Sequence, residues 1–274
     1  MRTSFLCFIL FILFSTGIAK CQVLPKDTPL VLEELYNRLV DNYNDKDRIR
    51  INDSIRLIIG SYIRSDSVFS HRFTNLRYLG QIMSPDSIIK IVTWNLVLSD
   101  EPGRYFCYFI RREGPGKVNK VFSLSSCYNE KPVRTDTTYS QSDWYGALYY
   151  DLKPCIVNDK PFWVMLGLDY GNPLISKKII EVLSFTPEDS IVFGRKWFAF
   201  GEEMKYRAVF EYSSDAVMSL KFRSGNSVIF DHLVPFSPSR KDDHQFYGPD
   251  YSFDAYNFED GFWKLAINVD ERNQ

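Results

Sequence analysis

From residue 73 onward, the sequence consists of short runs of aromatic and β-branched residues that are separated by predicted turns. Residues 162–168 and 178–185 are two such runs, and the turns between runs are rich in Gly, Pro, Asp and Asn. Runs of this composition favour short strands, and no helical spacing interrupts them. The pattern predicts a mainly β domain over 73–274, an antiparallel meander that forms a sandwich, a barrel or a propeller-like array.

Residues 22–72 show helical spacing instead and predict a short N-terminal helical segment. Thr28 is a candidate N-cap, Pro29 suits the first helical position, and the predicted helix covers 29–44. Asp53 is the candidate cap of a second helix, which ends near residue 64. Apolar side chains recur at helical spacing on both: Leu32, Leu35, Tyr36, Leu39 and Tyr43, then Ile55, Ile58, Ile59, Tyr62 and Ile63. These stripes predict helices that pack on the β domain.

Residues 1–21 have the features of a cleaved signal peptide. A short basic start precedes the apolar run FLCFILFILF at 5–14, which is shorter than the roughly 20 residues that span a bilayer. Small and polar residues follow, so cleavage after Ala19 and cleavage after Cys21 both fit. Acylation of Cys21 would instead tether the protein to a membrane, but Lys20 stands where a lipobox has a small residue.

Composition limits the expected partners. The chain has 33 Lys and Arg against 34 Asp and Glu, a formal net charge of -1. It therefore lacks the excess positive charge that binds nucleic acid. No segment after the signal peptide is long and apolar enough for a transmembrane helix. We expect an extracytoplasmic protein: periplasmic, on the cell surface or secreted.

Three cysteines follow the signal region, so at most one disulfide can form within a monomer. Two of them lie on the predicted arms of one hairpin. If the hairpin loop is centred on Lys117, Cys107 lies opposite Cys127 and the two can pair. A centre at Pro115 would place Ser123 there instead. Buried thiols that act as small apolar groups are the alternative.

The longest stretch without a strand pattern is 231–260, which we predict to be a structured loop. Such loops are often functional. The candidate binding or acidic site in this loop consists of Asp231, His232, Tyr247, Asp250 and Asp254. Closely spaced oxygen ligands from Asp250 onward would suit calcium, although the EF-hand pattern is absent and a solvated acidic loop is the simpler interpretation. A zinc site would need two histidines and carboxylates together, and this stretch contains His232 and His244 with Asp231, Asp242 and Asp243. A hydrogen-bonded structural role is the simpler interpretation of these histidines. We predict no cofactor, with calcium as the alternative.

Carboxylates elsewhere in the chain give a weaker pattern. Glu181 and Glu211 lie within apolar strands, where alternation predicts that each faces solvent. A hydrolase that used two carboxylates would therefore take them from the 231–260 loop.

Aromatic side chains supply a second candidate surface. Trp144, Tyr145 and Trp163 would form a platform for sugar rings or peptides if they were exposed together. Packing in the core of the β domain is the alternative for all three.

Several short motifs occur in a fixed order between about residues 75 and 270. They are Trp144 to Tyr150 (WYGALYY), Met165 to Asp169 (MLGLD), Lys178 to Leu183 (KIIEVL), Phe210 to Ser213 (FEYS), Phe230 to Leu233 (FDHL) and Tyr247 to Asp250 (YGPD). This series resembles a family of secreted proteins from Bacteroidetes-type bacteria that has no assigned activity. The resemblance implies an exported bacterial protein and transfers no catalytic residue.

The sequence and its resemblance to secreted bacterial proteins thus favour an exported, non-enzymatic binding or structural protein of the bacterial envelope. Its expected ligand is a glycan, a peptide or a partner protein. The alternative is an extracytoplasmic hydrolase that uses carboxylates of the 231–260 stretch. The nucleophile elbow, the zinc-protease motif and the phosphate-binding loop are all absent from the sequence.

Overall fold

The computed structural model describes residues 27–65, 67–101, 103–126, 132–223 and 226–270. This part of the chain begins with two helices, α1 (Thr28–Asp41) and α2 (Asp45–Tyr62). Sixteen strands follow: β1 (Gly80–Met83), β2 (Ile89–Leu96), β3 (Arg104–Arg111), β4 (Lys120–Ser126), β5 (Tyr139–Ser140), β6 (Leu148–Val157), β7 (Lys160–Asp169), β8 (Ile175–Phe185), β9 (Ile191–Phe193), β10 (Phe198–Phe200), β11 (Glu203–Lys205), β12 (Ala208–Ser213), β13 (Leu220–Arg223), β14 (Ser227–Pro235), β15 (Tyr247–Glu259) and β16 (Phe262–Ala266). The prediction of a mainly β fold with N-terminal helices is confirmed.

The second helix begins eight residues before its predicted cap at Asp53. Asn44 is the N-cap, and its side-chain oxygen accepts hydrogen bonds from the backbone N–H groups of Lys46 and Asp47. Asp45 and Asp47 lie in the first turn, where the helix dipole favours acidic side chains. The charged residues at 45–48 are therefore part of the first turn of α2.

The strands form three sheets, which we call A, B and C. Sheet A has the order β1-β2-β3-β4, and sheet B has the order β5-β9-β8-β7-β6 with β12 also paired to β8. Sheet C has the order β11-β10-β16-β15-β14-β13. All pairings described are antiparallel except that of β10 with β16. None of these sheets, as far as the chain is described, closes into a barrel.

The protein has four layers in the order helices, sheet A, sheet B and sheet C. A separate cluster of buried apolar side chains lies between each pair of neighbouring layers. Trp94 and Ile110 of sheet A pack against Leu32, Ile55 and other residues of the helices. The opposite face of sheet A packs on sheet B, and the far face of sheet B packs on sheet C. Sheet B is thus covered on both sides, which explains the unbroken burial along the middle of β7 and β8.

The predicted loop over 231–260 is largely a hairpin, and that prediction is wrong. The second half of β14 and most of β15 occupy this stretch, joined by two short 3-10 turns at Pro238–Arg240 and His244–Phe246. Proline, aspartate and glycine residues along both strands hide the alternation that would otherwise mark them. An irregularity in register between Asp231 and Leu233 interrupts it further.

Within the described ranges, neither helix has the length and apolar character needed to cross a membrane. The proposed signal peptide at residues 1–21 lies outside the described residues.

Candidate functional site

A cavity of about 490 Å³ opens at one end of the contact between sheets A and B. We call it the Tyr145 pocket. The end of β4 and the ends of β7 and β8 form part of its wall, and the connection from Pro132 to Tyr145 forms the rest. Its polar and aromatic lining residues are Ser125, Ser126, Arg134, Tyr139, Ser142, Asp143, Trp144, Tyr145, Asp169 and Lys177.

A buried ion pair lies beside the pocket. Arg207 Nε donates to Glu181 Oε2 at 2.7 Å, and both side chains are fully buried. The hydroxyl of the pocket residue Tyr145 donates to the same carboxylate oxygen at 3.1 Å. Arg207 also donates to the main-chain oxygens of Arg134 and Thr137, so it holds the pocket wall in place.

Burial acts in opposite directions on the two partners of this pair. It raises the pKa of Glu181, and the nearby charge and hydrogen bonds of Arg207 work against that increase. Burial alone would lower the pKa of Arg207, but the carboxylate of Glu181 outweighs it and raises that pKa. The guanidinium keeps its charge in either case, and its contact with Glu181 at 2.7 Å favours the charged form of that carboxyl group.

Asp169 forms a second network on another wall. Its Oδ1 accepts hydrogen bonds from the Tyr105 hydroxyl at 2.8 Å and from the Gly171 backbone N–H at 2.7 Å. Its Oδ2 lies 3.3 Å from Lys177 Nζ. Both carboxylate oxygens of Asp169 therefore have partners, whereas Lys177 Nζ has one partner among the described residues.

Asp143 is engaged in the same way at the pocket mouth. Its Oδ1 accepts from the backbone N–H and the hydroxyl of Ser140, and its Oδ2 lies 3.3 Å from Arg134 Nη2. Burial works to raise the pKa of Asp143, but the Ser140 hydrogen bonds and the charge of Arg134 outweigh it and lower that pKa. Among the described residues the Arg134 side chain makes this one ion pair and also lies over the Tyr139 ring, 4.6 Å from its centroid. A side-chain hydrogen bond with Tyr139 raises the pKa of Arg134. The guanidinium has five N–H donors, so these contacts leave donors for a ligand.

The pocket consequently offers more donors than acceptors. Both of its carboxylates have partners within the protein, whereas Arg134 and Lys177 keep donors that no residue of the described ranges occupies. Ser126 adds one buried hydroxyl that has no hydrogen-bond partner among the described residues. Buried polar groups are nearly always hydrogen-bonded, so an unpaired hydroxyl at a cavity is unusual.

The predicted aromatic platform is wrong for two of its three members. Trp144 is buried and its indole N–H donates to the Tyr149 hydroxyl. Trp163 is buried between sheets A and B, with its indole N–H bonded to Asp86. Tyr145 is only partly buried and lines the pocket. Trp163 is a core residue because it lies on β7 of sheet B, which is covered on both faces.

The prediction that Glu181 faces solvent is also wrong, and for the same reason. Alternation places a side chain on the second face of a sheet, but that face of β8 is covered by sheet A. Glu211 is half-buried, and its Oε2 lies 2.8 Å from Nδ1 of His244.

The predicted acidic site is elsewhere, on sheet C, and only part of it comes together. His232 Nδ1 lies 2.7 Å from Asp254 Oδ2, and Asp254 Oδ1 accepts from the backbone N–H of Asn268. His232 sits at the register irregularity, where one residue of β14 faces the three residues from Asp250 to Ser252 on β15. An irregularity of this kind re-aims side chains.

The other members of the predicted acidic site have separate partners. The Asp250 carboxylate accepts from the backbone and hydroxyl of Ser252, which lower its pKa, and the charge of His232 adds a smaller effect. Asp231 accepts from the backbone N–H of Ser219. The Tyr247 hydroxyl accepts from the backbone N–H of Asp242.

No group of three or more His, Cys, Asp or Glu within the described ranges is arranged to hold a metal ion. The cysteine prediction partly lies outside them, since Cys127 is not described. The register of β3 and β4 places Leu124 opposite Cys107, so both predicted hairpin centres are wrong. Cys107 is a buried free thiol whose pKa is raised by burial.

Sequence reasoning missed Arg134, Asp169, Lys177 and Arg207, which give the Tyr145 pocket its charge. One signal was present, because Glu181 interrupts an apolar strand. An acid in a strand covered on both faces requires a buried cation, but the sequence does not show that the strand is covered.

The chain matches no protein-family model, no curated protein and no solved structure. The pocket geometry and the His232 contacts are therefore the basis of the functional proposals.

Proposed function

We propose that the protein is an exported, non-enzymatic binding protein of the bacterial envelope and that the Tyr145 pocket binds a ligand through a carboxylate. The N-terminal apolar run and the resemblance to secreted bacterial proteins support export. The observation that carries the ligand proposal is the imbalance in the pocket: among the described residues, both carboxylates have their partners, while Arg134 and Lys177 each keep donors without one.

The chemistry of this imbalance favours a peptide among the three expected ligand classes. A terminal carboxylate accepts strong, charge-assisted hydrogen bonds from a guanidinium, an ammonium and a hydroxyl. Arg134, Lys177 and Ser126 line the pocket and provide these three groups. The cavity volume lies within the range of about 300–1,000 Å³ that is typical of small-ligand pockets.

The test is a pair of ligands that differ only in charge: an alanyl-alanine dipeptide and its C-terminal amide. Thermal unfolding of the purified protein is measured with each. A ligand at 100 times its dissociation constant adds about 2.7 kcal/mol, which corresponds to a rise of roughly 5 °C or more. We expect this rise with the free acid and little change with the amide. Equal responses to both, or none to either, would refute carboxylate binding.

Two variants locate the binding in the pocket. Arg134→Gln removes the exposed cation and is expected to weaken dipeptide binding about 10-fold or more. Ser126→Ala removes a hydroxyl without a partner and is expected to weaken binding while the unfolding midpoint of the free protein is kept. The matched control is Lys196→Gln, since Lys196 is exposed and lies outside the pocket lining.

A hydrolase is the second candidate, and one observation favours it. The buried Asp254 carboxylate contacts Nδ1 of His232, as an orienting carboxylate does in a catalytic triad. With Nδ1–H directed to Asp254, Nε2 would be free to take a proton from a water molecule. The ring of His232 is partly exposed, and Asp250 lies close enough for the charge of His232 to affect it.

The hydrolase proposal is tested with a panel of chromogenic esters and glycosides. Loss of turnover in His232→Gln and in Asp254→Asn, with the fold retained, would support a general base at His232. Turnover equal to wild type in both Asp250→Ala and Asp254→Ala would remove this assignment. Asp231→Asn is the control, because Asp231 bonds only to the backbone of Ser219 in this region.

A further inference from the structure

A second cavity, of about 580 Å³, lies in the helical layer and shares no residue with the Tyr145 pocket. We call it the α1 cavity. One wall is a face of α1, and the other is the segment that leads into β1. Its polar and aromatic lining residues are Glu33, Tyr36, Asn37, Asn75, Arg77 and Tyr78.

The polar side chains of this cavity are not engaged with the protein. Glu33, Asn37, Asn75 and Arg77 make no side-chain hydrogen bond or ion pair with any residue in the described part of the chain. This differs from the Tyr145 pocket, where each carboxylate has two or more partners. The opposite charges of Glu33 and Arg77 line the same cavity without neutralising each other by contact.

Tyr36 adds an independent observation. The residue is 2% exposed and lines the cavity, yet its hydroxyl oxygen is buried without a hydrogen-bond partner among the described residues. Leaving a buried hydroxyl unpaired costs about 1–3 kcal/mol. Burial raises the pKa of Tyr36 well above its ordinary value, so the group stays protonated and remains able to donate. The hydroxyl is thus a buried donor on a residue of the cavity wall for which the described part of the chain supplies no partner.

The set of groups indicates the class of ligand. One carboxylate and one guanidinium give the lining no net charge, which disfavours a strongly charged ligand. Two carboxamides each provide a donor and an acceptor, and so suit neighbouring hydroxyl groups that both donate and accept. The ring of Tyr78 is about half exposed and lies 6.3 Å from that of Tyr36, so it presents an apolar face to the C–H side of a ligand ring.

We infer that the α1 cavity is a binding site for a neutral sugar. The hydroxyls of the sugar would bond to Glu33, Asn37, Asn75 and Arg77, and the face of its ring would lie against Tyr78. This inference does not depend on the proposed function of the Tyr145 pocket, because the residues of the two sites are different.

The test is saturation-transfer NMR and calorimetric titration of the purified protein with glucose, galactose, mannose and N-acetylglucosamine. We expect at least one of the four to bind with a millimolar or lower dissociation constant. Asn37→Ala and Glu33→Ala are each expected to weaken that binding about 10-fold, since each removes about 1.4 kcal/mol of hydrogen bonding. All these side chains except Tyr36 are exposed, so the variants should keep the melting temperature of wild type.

The chain offers a matched control in Glu34→Ala. Glu34 is the neighbour of Glu33 on α1, is exposed, makes no ion pair with the described residues and does not line the cavity. Its variant should bind sugar like wild type, as should Arg134→Gln in the Tyr145 pocket. Three results would overturn the inference: no binding of any of the four sugars, equal weakening in Glu33→Ala and Glu34→Ala, or displacement of the bound sugar by glycine.

Discussion

Arg207 and Glu181 form a salt bridge of 2.7 Å in which neither side chain has any solvent exposure. The carboxylate also accepts from the Val182 backbone N–H and from the Tyr145 hydroxyl. Nearly every lone pair of the buried acid is thus used, as a buried charge requires. The pair joins β8 of sheet B to the wall of the Tyr145 pocket, because Arg207 also bonds to the main chain at Arg134.

Removing one partner of this salt bridge should destabilise the protein strongly. Arg207→Met leaves a buried carboxylate without its cation, and we expect a loss of about 3–5 kcal/mol in the free energy of unfolding. Glu181→Leu combined with Arg207→Met removes both charges, so the double variant should be more stable than Arg207→Met alone. Urea denaturation of wild type, Glu181→Leu, Arg207→Met and the double variant measures this coupling. Additive losses in the double variant would contradict a coupled pair.

Glu181 also shows where sequence reasoning reaches its limit. The apolar run at 178–185 correctly predicts β8, because β-branched residues between turns indicate a strand. The same run cannot show whether the second face of the strand meets water or another sheet. That depends on the stacking of sheets A, B and C, which arises from contacts between residues far apart in the chain.

Gly146 is required by the geometry under the Tyr145 pocket. Its φ is +92°, and a Cβ there would clash with Ser126 Oγ and lie 2.7 Å from the Tyr105 ring. Gly146→Ala combines backbone strain with a clash in the core, and we expect a loss of about 2–4 kcal/mol in unfolding free energy. The clash also displaces two groups beside the pocket, so ligand binding should fall.

Gly114→Ala is the control that separates strain from clash. Gly114 has a similar φ of +101°, but no atom lies within 4 Å of the position that an alanine methyl group would occupy there. This variant should cost only the strain, about 1–2 kcal/mol. Thermal or urea unfolding of both variants measures the difference. Equal losses at the two glycines would mean that Ser126 and Tyr105 move aside without cost.

Because Lys90 is buried, we expect the stability of the protein to depend on pH in an unusual way. The residue is 4% exposed, and its Nζ donates to the Tyr62 hydroxyl and to the carbonyls of Val68 and His71. Burial, with a smaller effect from the charge of Arg72, lowers the pKa of Lys90 from 10.5 to about 8. Between these values the unfolded chain binds the proton and the folded protein does not. This group should therefore make the protein more stable as pH rises from 8 to 10.5, by on the order of 3 kcal/mol in total.

The measurement is urea denaturation of wild type and Lys90→Met at about pH 7.5 and at about pH 10. These two values enclose most of the range between pH 8 and pH 10.5 in which the effect is expected. Other groups titrate in the same range, so the informative quantity is the difference between the two proteins. We expect the gain in stability toward high pH to be larger in wild type. NMR titration of the Lys90 side chain gives a direct check that does not require the variant to fold, with an expected midpoint of about 8. Parallel pH profiles, or a midpoint near the ordinary value of 10.5, would each contradict the lowered pKa of Lys90.

The sequence predicts the two helices much better than it predicts the structure of the acidic stretch at 231–260. The helices follow from local spacing, but their ends differ from the prediction. The N-cap of α1 is Asp27 and not Thr28, and the helix ends at Asp41 and not at residue 44. The N-cap of α2 is Asn44 and not Asp53. The hairpin of β14 and β15 is set by pairing with its neighbours in sheet C. The sequence shows that His232 and Asp254 lie in the same acidic stretch. It does not show that they contact each other, because that contact depends on the pairing of β14 with β15.

Two buried tyrosines differ in the use of their hydroxyls and provide the last prediction. Tyr36 and Tyr105 are each 2% exposed. The Tyr105 hydroxyl donates to Asp169 and accepts from the Tyr170 backbone N–H, whereas the Tyr36 hydroxyl has no partner in the described part of the chain. Tyr105→Phe should cost about 1.5–3 kcal/mol of unfolding free energy, because it removes a hydrogen bond to a carboxylate. Tyr36→Phe should leave stability unchanged or raise it, since it removes an unpaired buried polar group. Urea denaturation of both variants decides this, and a loss in Tyr36→Phe as large as that in Tyr105→Phe would mean that the hydroxyl is already satisfied without a ligand in the α1 cavity.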